Sequence, residues 1–107
     1  VLIAVLTDTI GPKDVPNPSA SYDAGAAGLS LLLQAHAHGL AAHAMGGFDG
    51  AAFRAAFDIP ERFAVLSFIS IAHYGDLQSL PPGLAERESA PRARLPLSEI
   101  VRFGKWV

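Results

Sequence analysis

Apolar and polar positions alternate in three distinct ways along this chain, and each predicts a different element. Val1–Leu6 is a short unbroken apolar run typical of a buried strand. Thr7–Ser19, with three prolines and Gly11, reads as a loop. From Ala20 to His38 the residues Tyr22, Ala26, Leu29, Leu33 and Ala37 recur at spacings of three and four, while Asp23, Ser30, Gln34 and His38 form a narrow polar stripe. That pattern predicts a long helix surrounded mostly by protein, with Ser19 or Ser21 as its N-cap and Gly39 as its C-terminal cap. Gly25 and Gly28 weaken such a helix in isolation, so they are expected to admit another backbone closely, as in a helix paired across a dimer axis.

Leu40–Met45 is a short extended piece, Gly46–Gly47 a tight loop, and Asp49 the N-cap of a helix through Phe57 that presents Phe53, Ala56 and Phe57 inward, with Pro60 closing the unit. Phe63–Ala72 is apolar on both alternating faces, which predicts a central strand covered on each side. Leu77–Pro96 holds four prolines and most of the late charge; it reads as a long loop wrapping across a surface. Leu97–Val107 is either a short helix or a strand, anchored by Trp106. No internal repeat interrupts this order, and 107 residues suit a single small domain.

Composition narrows the partners. Eight Lys and Arg stand against ten Asp and Glu, for a net charge of −2, which argues against nucleic acid because phosphate neutralisation calls for a basic excess. Without cysteine there is no disulfide framework, thiolate metal ligand or cysteine nucleophile, and a cytoplasmic location is the default expectation. Nineteen alanines make the apolar content small in volume, suited to close helix packing and to association. Ala24–Phe48 carries no Asp, Glu, Lys or Arg over 25 residues, yet Gln34, three histidines and five glycines argue against a membrane span. The chain lacks a secretory signal pattern, and its opening directly on a strand-like run suggests a start inside a fold whose earlier part is absent.

Two segments carry candidate chemistry. In Met45-Gly46-Gly47-Phe48-Asp49-Gly50, paired glycines expose backbone N–H groups where a helix begins, which suits an anion or a ring carbonyl; the same spacing also fits a plain turn with an Asp cap. In Pro91–Pro96 the prolines favour extended geometry, so the period of two puts Arg92 and Arg94 on one side, where two guanidinium groups can converge on one phosphate. The alternative is a solvated basic loop balanced by Glu86 and Glu88. The four histidines do not make a metal site: His36 and His38 lie about 200° apart around a helix, His38 sits on the polar stripe, and His36 and His43 are expected to be packed or hydrogen-bonded. His73 ends the second strand-like run and is either a pocket residue or a satisfied strand-end histidine. No serine sits in a nucleophile elbow, so no side chain is assigned a catalytic role.

Taken together, residues 21–49, 53–75 and 91–101 followed by a Trp resemble, in order and spacing, the C-terminal half of the nitroreductase family of FMN-dependent oxidoreductases. The resemblance implies an α+β fold, an incomplete nitroreductase-like three-layer α/β/α sandwich whose long helix packs across a homodimer interface. It implies that Met45, Gly46 and Gly47 touch the flavin, that Arg92 and Arg94 reach the FMN phosphate, and that Leu97, Glu99, Ile100 and Val101 match the family's closing segment. It also implies hydride transfer from NAD(P)H through FMN to a nitroaromatic or quinone-type acceptor, with the cofactor doing the chemistry. The family's N-terminal half, with its own phosphate-binding and ring-contacting segments, has no counterpart in these residues. The competing expectation is therefore a non-enzymatic dimerisation or interaction domain, a truncated or degenerate relative without flavin.

Overall fold

The computed structural model describes residues 1–105, and within them the chain divides into two compact units, Val1–Tyr74 and Gly75–Val107. Trp106, expected as a terminal anchor, lies outside the described residues.

The first unit is built on a three-stranded antiparallel sheet. Strand β1 (Leu2–Asp8) and strand β2 (Ala41–Met45) flank β3 (Phe63–Ala72), so the strand with the continuous apolar run is the central one, as its pattern requires. The register runs Leu2 opposite Ser70 on one side and His43 opposite Ser70 on the other, and it slips between Val5 and Leu6, leaving Leu66 as an extra, bulged residue. Helix α1 (Ala20–Ala37) crosses from β1 to β2, and α2 (Gly50–Ala56) leads into β3.

Successive side chains on β3 point to opposite faces, and Phe68 and Ile69 show what covers each. Ile69 packs beneath α1, where its Cδ1 lies 3.9 Å from the point a Cβ on Gly28 would occupy, and it is 1% exposed. On the other face Phe68 receives the rings of Phe48 and Phe53 edge-on, with centroids 4.7 Å away in both pairs. Helix, sheet and aromatic cap thus form the three layers of an α/β/α arrangement.

Helix α1 ends as its glycine predicts. Gly39 adopts φ +73°, its N–H donates to the His36 carbonyl, and the Leu40 N–H donates to the Ala35 carbonyl, which closes the last turn in a Schellman motif. At the other end Ser19 occupies the N-cap position without bonding a helix N–H; its hydroxyl lies 2.8 Å from Asp23 Oδ2 instead.

The helix is far less enclosed than its periodicity predicts. Ala20 and Ala35 are buried, while Tyr22 is 82% and Leu33 63% exposed, with Leu29 also exposed. An apolar circumference states only that a helix avoids water on all sides; the sheet covers one face, and the described chain supplies nothing for the other. An apolar crevice of ≈ 210 Å³ remains beside that contact, lined by Gly25, Gly28 and Leu29 of α1 and by Val5, Ala44 and Ile69 of the sheet. The α2 expectation changes similarly: Phe53 packs inward, whereas Phe57 is 67% exposed and Ala56 is exposed.

The loop joining β1 to α1 is tied down by a bidentate ion pair. Arg62 Nε donates to Asp8 Oδ1 at 2.9 Å and Nη2 to Asp8 Oδ2, while the Ile10 N–H also donates to Oδ1. The hydrogen bonds from Arg62, then that from Ile10, hold the Asp8 carboxyl below its ordinary value of 3.8 despite a small opposing desolvation. Because the folded-state value is the depressed one, this pair stabilises the fold above the ordinary carboxylate range, and the contribution is lost as pH falls through and below 3.8. Asp8→Asn is accordingly expected to flatten the acid limb of a Tm-versus-pH curve below pH 4 and to lower Tm slightly at neutral pH. An unchanged acid limb in the variant would show that this carboxylate is not linked to folding.

The second unit corrects the long-loop expectation. It contains a 3₁₀ turn at Leu77–Ser79, helix α3 (Pro82–Ser89) and helix α4 (Leu97–Ile100). Prolines masked α3 in the sequence, yet Pro81 and Pro82 stand at its N-cap and first position, where a missing N–H costs nothing, and Leu84, Ala85, Glu86, Arg87 and Glu88 favour helix. Ala90 then turns extended before Pro91, as a residue preceding proline does.

Candidate functional site

Strand β2 delivers the chain into the glycine loop with Met45 paired opposite Phe68. Side chains fix the exit of that loop. Phe48 sets its ring against Phe68, and Asp49 caps α2 by accepting the Ala52 N–H at 2.9 Å, as its position predicts. Arg54, which the sequence pattern did not single out, secures the turn that leads from α2 into β3: its Nη1 donates to the carbonyls of Ile59 and Pro60, and its Nη2 to that of Phe63. The available signal was a cation in the last turn of a short helix just before a proline turn, where unpaired carbonyls collect.

Gly46 and Gly47 themselves are left open. Neither has a positive φ, and a Cβ built on either would meet nothing within 4 Å. Neither backbone conformation nor packing within the described residues therefore calls for glycine at these positions. Their N–H groups find no acceptor among the described residues, and Phe48 N–H donates to the Gly46 carbonyl at 3.1 Å. Because α2 spans only seven residues, the loop's own amides, rather than a helix terminus, are its donors. The result is a side-chain-free patch of polar backbone beside Met45, bounded by Phe48 and Asp49.

In the second unit Arg92 and Arg94 lie on the irregular stretch between α3 and α4, both exposed. Arg94 Nη1 donates to the adjacent Ala93 carbonyl at 2.7 Å, and Arg92 has no partner among the described residues. Neither makes a direct ion pair with Glu86 or Glu88. Met45, Gly46 and Gly47 thus share one loop of the first unit, and the two arginines share one irregular stretch of the second.

The histidines stay apart. His38 lies on the polar stripe, its Nε2 2.9 Å from Gln34 Nε2, while His36, His43 and His73 are exposed rather than packed. Among the described residues no group of three or more His, Asp or Glu could hold a metal ion, and no helix is long and apolar enough to cross a membrane.

Comparison with known proteins bears on the family and the fold. Residues 1–73 match the nitroreductase family, and the chain belongs to that family. Among solved structures it is similar to an oxidoreductase containing FMN, with 36% identity and a TM-score of 0.89, over 99% of this chain and 55% of that one. It is also similar to a nitroreductase family protein of Clostridium difficile 630, with 25% identity and a TM-score of 0.70, over 98% and 59% of the two chains. An uncharacterized 15.4 kDa protein in the ask 5' region of Mycolicibacterium smegmatis is 39% identical over 87 residues, covering 81% of this chain and 58% of that protein. The chain therefore spans between half and three-fifths of the length of these relatives. Its three-layer arrangement is that of an incomplete nitroreductase-like α+β fold.

Proposed function

We propose that residues 1–107 are the C-terminal portion of a single nitroreductase-like domain, part of a cytoplasmic, homodimeric FMN-dependent oxidoreductase. Its reaction carries a hydride from NAD(P)H by way of the flavin to a nitroaromatic or quinone-type acceptor. The observation that carries this reading is the pair Gly46–Gly47, glycines that nothing inside the described chain requires and whose N–H groups are free. A residue without a side chain costs backbone entropy, and close approach of a flat ligand to the backbone is the standard reason to keep one.

FMN fits the donors present. In the first unit Gly46 and Gly47 would offer two backbone N–H groups, with Met45 beside them, to the polar edge of a flavin ring; in the second unit Arg92 and Arg94 would offer planar, multidentate donors to a phosphate. When bound, FMN supplies the hydride-accepting and hydride-donating chemistry. The chain's own part is to fix the ring edge, to bias its electronics through those N–H groups, and to secure the phosphate; none of its side chains is assigned a proton-transfer or nucleophilic role.

Gly47→Val tests the ring contact. Since a Cβ at Gly47 meets nothing inside the described chain, the variant is expected to fold with an unchanged Tm. FMN affinity is expected to fall at least tenfold, equivalent to about 1.4 kcal/mol, through loss of close approach. Full flavin affinity in a folded Gly47→Val protein would contradict the placement.

One further observation supports the dimer and gives the flavin-free alternative its footing. Gly25 also has open space where a Cβ would stand, and it lies among the exposed Tyr22, Leu29 and Leu33, whereas Gly28 already serves the contact with Ile69. A non-enzymatic dimerisation domain would use this face equally well, so flavin binding, and not oligomeric mass, separates the two readings.

A further inference from the structure

The segment that carries Arg92 and Arg94 has no core of its own. Every described residue from Gly75 to Lys105 is exposed except Ala85, which is half-buried, and the exposed set includes Leu84, Leu95, Leu97, Ile100 and Phe103. Its hydrogen bonds at Asp76, Ser79, Ser89 and Arg94 close within four residues along the chain. Helix α3 has eight residues and α4 four, while helices shorter than about 12–15 residues are marginal in water without packing. Local bonds and propensity alone therefore leave α3 and α4 marginal among the described residues.

The arginines sit where one ligand would have the largest ordering effect. Residues 90–96 are the only covalent link between α3 and α4, and pinning two guanidinium groups on one anion fixes that link on both sides. Both side chains are available, because neither is engaged by Glu86 or Glu88.

Resting on the flavin reading above, we propose that the cofactor's phosphate is an ordering switch for this segment. Without FMN, residues 75–105 exchange between many conformations; with the dianion held by Arg92 and Arg94, the α3–α4 segment locks. Ordering and phosphate binding are then one linked equilibrium, so a ligand that binds only the ordered form suppresses opening by a factor of one plus the ratio of free ligand concentration to Kd.

Amide hydrogen exchange followed by mass spectrometry on peptides covering residues 80–105 tests this, with flavin binding read in parallel by fluorescence quenching. At FMN concentrations near 100 times Kd, exchange is expected to slow by at least tenfold, against a linkage ceiling of about 100-fold. Riboflavin, which has the same ring and no phosphate, is expected to bind more weakly and to leave exchange in this segment unchanged even at saturation. In Arg92→Ala/Arg94→Ala, saturating FMN is expected to give no protection. Equal protection by riboflavin, protection retained in the double variant, or slow exchange already present without flavin would each overturn the switch. FMN binding with no change in exchange would overturn it while leaving the flavin site standing, and failure of either flavin to bind would remove both.

Discussion

Replacing Arg92 and Arg94 together by alanine is expected to raise the Kd for FMN by about 100- to 1,000-fold. Each arginine offers charge-assisted hydrogen bonds to a phosphate worth about 1.5–3 kcal/mol, and partial exposure places the joint loss near 3–4 kcal/mol, at about 1.4 kcal/mol per factor of ten. The fold should be indifferent, because Arg92 has no partner among the described residues and Arg94 reaches only its neighbour's carbonyl. Riboflavin affinity supplies the internal control: it should be nearly the same in wild type and variant. Fluorescence titration with both flavins makes the check, and an FMN Kd within threefold of wild type would remove the arginines from the site.

The largest stability effect is expected at Ile69. It is the one large side chain among the described residues that is fully buried, and it links the central strand to α1 beside Gly28. Truncating a buried isoleucine to alanine costs about 2–5 kcal/mol, the transfer of the lost methyl groups plus a cavity contribution. Here the neighbouring crevice of ≈ 210 Å³ already opens one side, so part of the new space merges with it and the low half of that range applies. For a chain of 107 residues a loss of about 2–3 kcal/mol lowers Tm by roughly 10–20 °C. Thermal unfolding followed by circular dichroism reads this directly, and a shift below 3 °C would show that α1 and the sheet are held together elsewhere.

How much of this was legible in the sequence depends on whether the determining contact was local. The ends of α1, the Asp49 cap and the central position of β3 follow from short-range patterns: a glycine at positive φ, a carboxylate three residues before an N–H, and an apolar run without alternation. Helix α3 was hidden because prolines were counted as breakers when they stood at a helix start. The enclosure of α1 was overestimated because periodicity reports which faces avoid water and says nothing about what covers them.

The site divides along the same line. Gly46, Gly47, Arg92 and Arg94 announce themselves by residue type and spacing. The side chains around it do not: Phe48, at the loop's exit, acts through Phe68, twenty residues later, and Arg54 ties the turn after α2 through carbonyls whose exposure depends on how the chain turns at Pro60. The bulge at Leu66 leaves no mark in an apolar run.

The most direct measurement is a titration of the purified protein with FMN, following the flavin's visible absorption together with the protein's mass in solution. A saturable spectral change at one flavin per chain, on a particle of dimer mass, is the predicted result. A protein that leaves the FMN spectrum unchanged at millimolar concentration, whatever its mass, would contradict the central claim that Gly46, Gly47, Arg92 and Arg94 serve a flavin.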